Sequence, residues 1–399
     1  MLKFLAGRYL LFGILGVETL LMPFFLPKET YGEVEFLKFT AFLTQFLLIG
    51  AATGFIVRYL KEPVEGRDEL RYVFVLGAFL QTLVVCAVTW LLGYGVIALL
   101  AFFAMLVLVF ESIGKVNENY LLSMSFKPIL SLSFITLIPV FLATQFSVEN
   151  YVLVGFLIAA VIYIGLIRYR LNQSVNKAIS YKKIFFGNWV RNYTENIKCG
   201  FVVNISTAMV FLFFYIDRVV IREQFPEFLG DYSLSFSIMQ LTIVAITAFS
   251  YINIVEFGKS QDDIEDLKAK VVISLRKCLI LLLILGTASS LLSYFASTYY
   301  DYTEVFKTTS LMILLFGLAN VLSSLNAVHL YLGSVNKVAL LIAVAFLVSV
   351  TLNYYIDYSS LNGYYMLLLK TYGIYFIYSL LSFLYVAKKL NIRCSFCKV

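Results

Sequence analysis

Apolar stretches of the length needed to cross a lipid bilayer, about 17–25 residues, recur along the whole chain, and no other feature restricts its fold as strongly. Residues 199–216, for instance, carry no charge at all. Composition points the same way. Of the 399 residues 61% are hydrophobic and 14% charged, whereas an ordinary soluble domain has about 25% charged residues. Apolar runs and the turn residues between them predict twelve spans, at about 5–26, 34–56, 73–93, 95–114, 128–145, 150–167, 199–221, 230–255, 278–298, 310–332, 338–356 and 363–386. The expected fold class is an all-α polytopic membrane protein. The first run follows Lys3 and Arg8 but reaches Leu26 without a small-residue cleavage site, so it reads as a retained span.

Lysine and arginine set the orientation. With the N-terminus cytoplasmic, only Lys28, Arg218, Arg222 and Lys307 fall on the outer face, Lys38 and Lys370 lie inside spans, and the rest of the 31 basic residues are cytoplasmic. Both termini are therefore expected inside. The most basic loop, 168–198, divides six spans from six, which suggests a duplication: a bundle over 1–167, a linker loop over 168–198, a second bundle over 199–387 and a short basic tail over 388–399. Two strings support it. "VETLLMPFFLPKETYGEVEF" can be laid beside "IDRVVIREQFPEFLGDYSLSF", so that Glu18 precedes Pro27, and Asp217 precedes Pro226, by the same distance. Glycine then acid follows in both, as Gly32-Glu33 and Gly230-Asp231. Each half thus puts one carboxylate about 13 Å below its outer turn. At that depth a charge costs roughly 2.5–3.5 kcal/mol on the mildest scale, so each acid is either compensated or functional.

These strings resemble a known family. "PKETYGEVEF" is similar to the turn between the first two spans of bacterial O-antigen-type, lipid-linked oligosaccharide flippases, and "IDRVVI…FLGDYS" to their seventh span and the turn after it. The family lies in the multidrug/oligosaccharidyl-lipid/polysaccharide exporter superfamily. The resemblance implies two pseudo-symmetric six-helix bundles around a central cleft, in the bacterial cytoplasmic membrane. It implies flipping of a polyprenyl-diphosphate-linked oligosaccharide for surface polysaccharide synthesis, in company with membrane lipid and with polysaccharide polymerase and chain-length proteins. No nucleic acid, cofactor or catalytic residue is implied. One departure stands out: the family's cavity is typically cationic, whereas the first span here carries Glu18.

Such a transporter needs cations for the diphosphate and polar groups for the glycan. Lys38 and Lys370, inside spans, are candidates for phosphate contact, against the alternative that they snorkel to the headgroups. Arg218 cannot pair with its neighbour Asp217, about 100° away on the helix, but Arg218 and Arg222 share a face and form either a basic stripe or a headgroup frame. Asn320 and Ser324 give the tenth span a polar face, suited to a cleft wall or to interhelical hydrogen bonds. Glu18 and Asp217 are the ion-coupling candidates, because a carboxylate in low dielectric can exchange a proton near neutral pH or coordinate Na+. The alternative is a structural salt bridge, such as Glu18 with Lys38. Cys394 and Cys397 form an isolated CxxC, read as reduced thiols, and no metal site is expected.

Two other functions compete. A membrane polymerase or transferase would need a sizeable outer loop or a buried catalytic histidine; the outer loops are short, and the single histidine, His329, sits at the cytoplasmic end of its span. No Gly-rich Lys motif is present for ATP hydrolysis. A cation-coupled multidrug exporter would share both the twelve spans and the buried acids, and it is the closer rival.

Overall fold

A computed structural model describes residues 2–117, 123–144, 146–174, 186–259, 263–326, 328–358 and 360–392. It is helical, with no β-strand among the described residues. The chain divides into two compact units, one of residues 1–25 and 33–211, the other of 26–32 and 212–399.

Unit 1 holds α1 (Leu2–Phe25), most of α2 (Lys28–Thr44), α3 (Ala51–Lys61), α4 (Val64–Leu91), α5 (Gly95–Val116), α6 (Phe126–Ala143) and α7 (Val148–Ser174). It also takes the first part of α8 (Phe186–Gln224), which passes to unit 2 at Leu212. Unit 2 continues with α9 (Leu229–Lys259), α10 (Ile264–Tyr299), α11 (Val305–Ser323), α12 (Val328–Tyr331), α13 (Val335–Leu352) and α14 (Leu361–Lys389). Each of the twelve expected spans coincides with a helix or a helix pair. Ten helices among the described residues are long and apolar enough to cross a membrane, and the bent pair α2–α3 makes an eleventh. Residues 168–174 and 186–198, expected in a linker loop, are helical, and 175–185 lie outside the described residues. So does the Cys394/Cys397 pair.

Helix α10 shows the small-residue contact face that helices in lipid favour. Along α10 the buried stripe narrows to small residues, Gly286, Ser289, Ser293 and Ala296, while Leu283 and Ile284 on the other side are 70% and 62% exposed. Small residues let helix backbones approach, and the large aliphatic ones meet acyl chains.

The expected second span, 34–56, is broken. Helices α2 and α3 meet at 57°, through Ile49 and Gly50 in the left-handed region at φ 50° and 88°. A β-branched residue there is strained, and carbonyls freed by a break must be answered inside a membrane. They are: Asn204 donates to Phe46 O at 3.1 Å and Gln81 to Leu47 O at 2.8 Å. Beside the break α8 crosses at Gly200, packed so closely on Gly50 and Gly54 that a side chain there would strike backbone. Hydropathy is blind to this break, because Leu47-Leu48-Ile49 is as apolar as the helices it separates.

Candidate functional site

In unit 1, Glu18 on α1 is 6% exposed. It is met by Lys38 of α2, whose ammonium lies 2.7 Å from Glu18 Oε1 and 2.5 Å from Glu35 Oε1. Glu35 and Lys38 are three apart on one helix and so share a face. From α6, the Ser131 hydroxyl donates to Glu18 Oε2 at 2.5 Å. The Lys38 ammonium also lies 5.1 Å over the Phe134 ring. Two carboxylates, one ammonium and a hydroxyl thus compensate one another away from lipid.

In unit 2, Asp217 on α8 is 1% exposed. Its Oδ1 accepts from the Thr371 hydroxyl at 2.8 Å and from Lys370 at 3.4 Å, both on α14. Lys370 makes its shorter bond, 2.5 Å, to Asn353 Oδ1 in the 3-10 turn that follows α13. Asp217 Oδ2 is buried and has no hydrogen-bond partner among the described residues. Arg218, also 1% exposed, turns the other way, its guanidinium 4.7 Å over the Phe236 ring and 5.4 Å over Tyr232. Phe236 continues into an aromatic cluster with Phe214, Phe316, Tyr372 and Tyr375. Phe316 is presented by a π-helical turn, Ile313–Gly317, a distortion that recurs at functional sites.

A third feature joins the two turn motifs. Within unit 2, Lys28 of "PKETYGE" forms an ion pair with Asp231 of "FLGDYS", and the Tyr31 hydroxyl donates to Ser237 at 3.4 Å. The motif glycines face each other. A Cβ on Gly32 would come within 2.9 Å of the Leu229 side chain, and one on Gly230 would meet the Lys28 carbonyl at 2.5 Å. Asp231 also accepts from the Glu304 backbone at 3.2 Å, and Glu304 in turn pairs with Lys307 at 3.4 Å and accepts from Tyr365.

Solved membrane transporters share this arrangement of helices. The inward-closed lipid II flippase MurJ superposes with a TM-score of 0.71 at 13% identity, over 98% of this chain and 88% of that one. An inward-facing multidrug resistance transporter of the MATE family gives 0.67 at 13%, over 94% and 98%. The MATE transporter VcmN of Vibrio cholerae gives 0.59 at 14%, over 97% and 98%. The chain has the fold shared by MATE transporters and MurJ. That is the architecture implied by the turn motifs, and the inward-facing transporter is itself described as a member of the MOP superfamily. No family profile and no curated protein matches the sequence.

The candidate residues fall into three groups. Lys38 and Glu18 meet each other, and so do Lys370 and Asp217; in both units the lysine considered for phosphate and the acid considered for ions are one cluster. Arg218 and Arg222 do not form a stripe, because Arg218 is buried against rings while Arg222 is exposed. Four-residue spacing puts both on one helix face, but Tyr232 and Phe236 cover the inner of the two. Asn320 and Ser324 donate to Phe316 O and Val321 O of their own helix at 2.7 Å each, and the Ser324 hydroxyl also reaches Cys278 Sγ of α10 at 3.7 Å, an interhelical contact. His329 is a satisfied core histidine between Ser334 and Ser382. Sequence reasoning missed Glu35 and Asn353. Glu35 could have been found from its spacing to Lys38; Asn353, at the foot of a turn, carried no signal.

Proposed function

We propose that the chain is a flippase carrying a polyprenyl-diphosphate-linked oligosaccharide from the cytoplasmic to the outer leaflet of a bacterial inner membrane, driven by a proton or Na+ gradient, with both termini cytoplasmic. The observation that carries this reading is the contact between the two motif stretches. They resemble the flippase family separately in sequence, yet they fold onto each other through Lys28–Asp231, Tyr31–Ser237 and paired glycines. A chance match of two short strings gives no reason for such complementarity. The shared fold includes a protein described as a lipid II flippase, which makes a lipid-linked substrate chemically reasonable. Glu18 and Asp217 stay the proposed coupling residues. Phosphate contact by Lys38 or Lys370 requires the phosphate to displace a carboxylate, which would tie substrate binding to release of that acid.

A cation-coupled multidrug exporter is the second reading, and one observation favours it: in unit 1 two carboxylates, Glu18 and Glu35, share one ammonium, a balance that suits a cationic cargo. Reconstitution separates the two. Proteoliposomes holding the purified chain should speed transbilayer movement of a fluorescent polyprenyl-diphosphate oligosaccharide and leave a cationic dye where it is. Dye transport without glycolipid movement would replace the first reading by the second. Orientation is checked by cysteines at Thr30, Val148 and Ser360, which should react with an impermeant thiol reagent from outside intact cells, while one at Asp266 should not.

A further inference from the structure

We propose that the Lys370 ammonium is a built-in cation seated in an oxygen-lined monovalent-cation site of unit 2, so that the native centre takes up no free Na+ and opens to Na+ once that ammonium is removed. Oxygens from three elements converge there. Asn353 Oδ1 lies 2.5 Å and Asp217 Oδ1 3.4 Å from Lys370 Nζ, and the Thr371 hydroxyl lies 2.8 Å from the same Asp217 oxygen. An ionised carboxylate offers about four acceptor sites, and Asp217 uses Oδ1 alone; Oδ2 is buried and unanswered among the described residues. The donor set is therefore larger than one ammonium uses.

The backbone contributes as well. Asn353 follows the last residue of α13, at the helix end whose dipole favours a cation. The Tyr358 hydroxyl donates to Asn353 O at 2.8 Å and holds the turn.

Charge decides what the site can hold. Among the described residues, Lys370 is the cation that faces Asp217 from another element. The phenols of Tyr232, Tyr358 and Tyr372 lie within its electrostatic reach, and Arg218, on the same helix, is turned onto rings. One carboxylate balances one monovalent cation. A Na+ ion added beside the ammonium would put two like charges in low dielectric with a single counter-charge. Under the proposed function, this leaves the proton as the coupling ion at this centre; the inference rests on that reading only there, since ion binding is measured without transport.

The test is thermal unfolding of the purified full chain in sodium chloride and in choline chloride at equal ionic strength. The native protein should unfold at the same midpoint in both. Lys370→Met should gain about 2 °C or more in sodium, and Lys370→Met with Asp217→Asn should gain nothing. Asn353→Asp keeps the lysine but supplies a second carboxylate, so it should also respond to sodium, which covers the case of a Lys370→Met protein that fails to fold. A sodium response in the native chain that Asp217→Asn removes would overturn the proposal. So would folded Lys370→Met or Asn353→Asp protein indifferent to sodium.

Discussion

In unit 1 the buried acid, Glu18, takes its lysine from the next helix, 20 residues on, and shares it with a second carboxylate; in unit 2 Asp217 takes its lysine from the last helix, 153 residues on, and shares it with an amide. The acids occupy matching places in the two sequence repeats, nine residues before a proline, but their counter-charges do not. What a low-dielectric interior enforces is compensation of the charge, not the identity or origin of the compensating group. A repeat can keep its acid and draw the cation from whichever helix packs against it. The cost of that freedom is asymmetry: unit 1 gives its ammonium two carboxylates, while unit 2 gives its ammonium one carboxylate and one amide oxygen.

The comparison is sharpest where the ammonium is removed. Lys38→Met should cost about 3–5 kcal/mol, the penalty for breaking a buried pair, and should cost more than Lys370→Met, because two carboxylates lose the cation they share. Unfolding midpoints measured in choline chloride check the order, and equal losses would erase the contrast. Next comes the motif contact of unit 2. Gly230→Ala should lose about 1–3 kcal/mol through the clash with the Lys28 carbonyl, whereas Gly165→Ala, with open space at its Cβ, should gain up to about 1 kcal/mol in its helix. Smaller again are the hydroxyls that answer each acid: Ser131→Ala and Thr371→Val should each cost about 0.5–2 kcal/mol, with Thr371→Val the larger because the lysine of Asp217 lies farther off, 3.4 Å against 2.7 Å for that of Glu18. Last, Lys307→Ala removes a cation whose side chain is 65% exposed, and it should change stability by less than about 0.5 kcal/mol.

The helices were legible because lipid demands long apolar runs, and all twelve expected spans coincide with helices. Their ends were not. Helix α8 runs 39 residues, well beyond its apolar part, because the basic segment from Trp189 to Lys198 can remain helical once outside the hydrocarbon. The matching positions of Glu18 and Asp217 followed from counting residues to a turn, and one pairing alternative, Glu18 with Lys38, is the pair the structure forms. The partner of Asp217 did not follow, since only tertiary packing brings α14 and the turn after α13 to α8. Arg218 shows the converse limit: local spacing set its direction correctly away from Asp217 but could not tell that two rings of α9 would cover it.

Double-mutant cycles at the two centres test most directly the central claim, that each unit neutralises its buried acid with its own lysine. Stability of Glu18→Gln, Lys38→Met and their double, and of Asp217→Asn, Lys370→Met and theirs, would be read from thermal unfolding without sodium. In both cycles the double mutant should be more stable than the sum of the single losses implies, by about 1–3 kcal/mol, because removing both charges leaves neither one buried alone. Additive losses in either cycle would contradict the pairing in that unit.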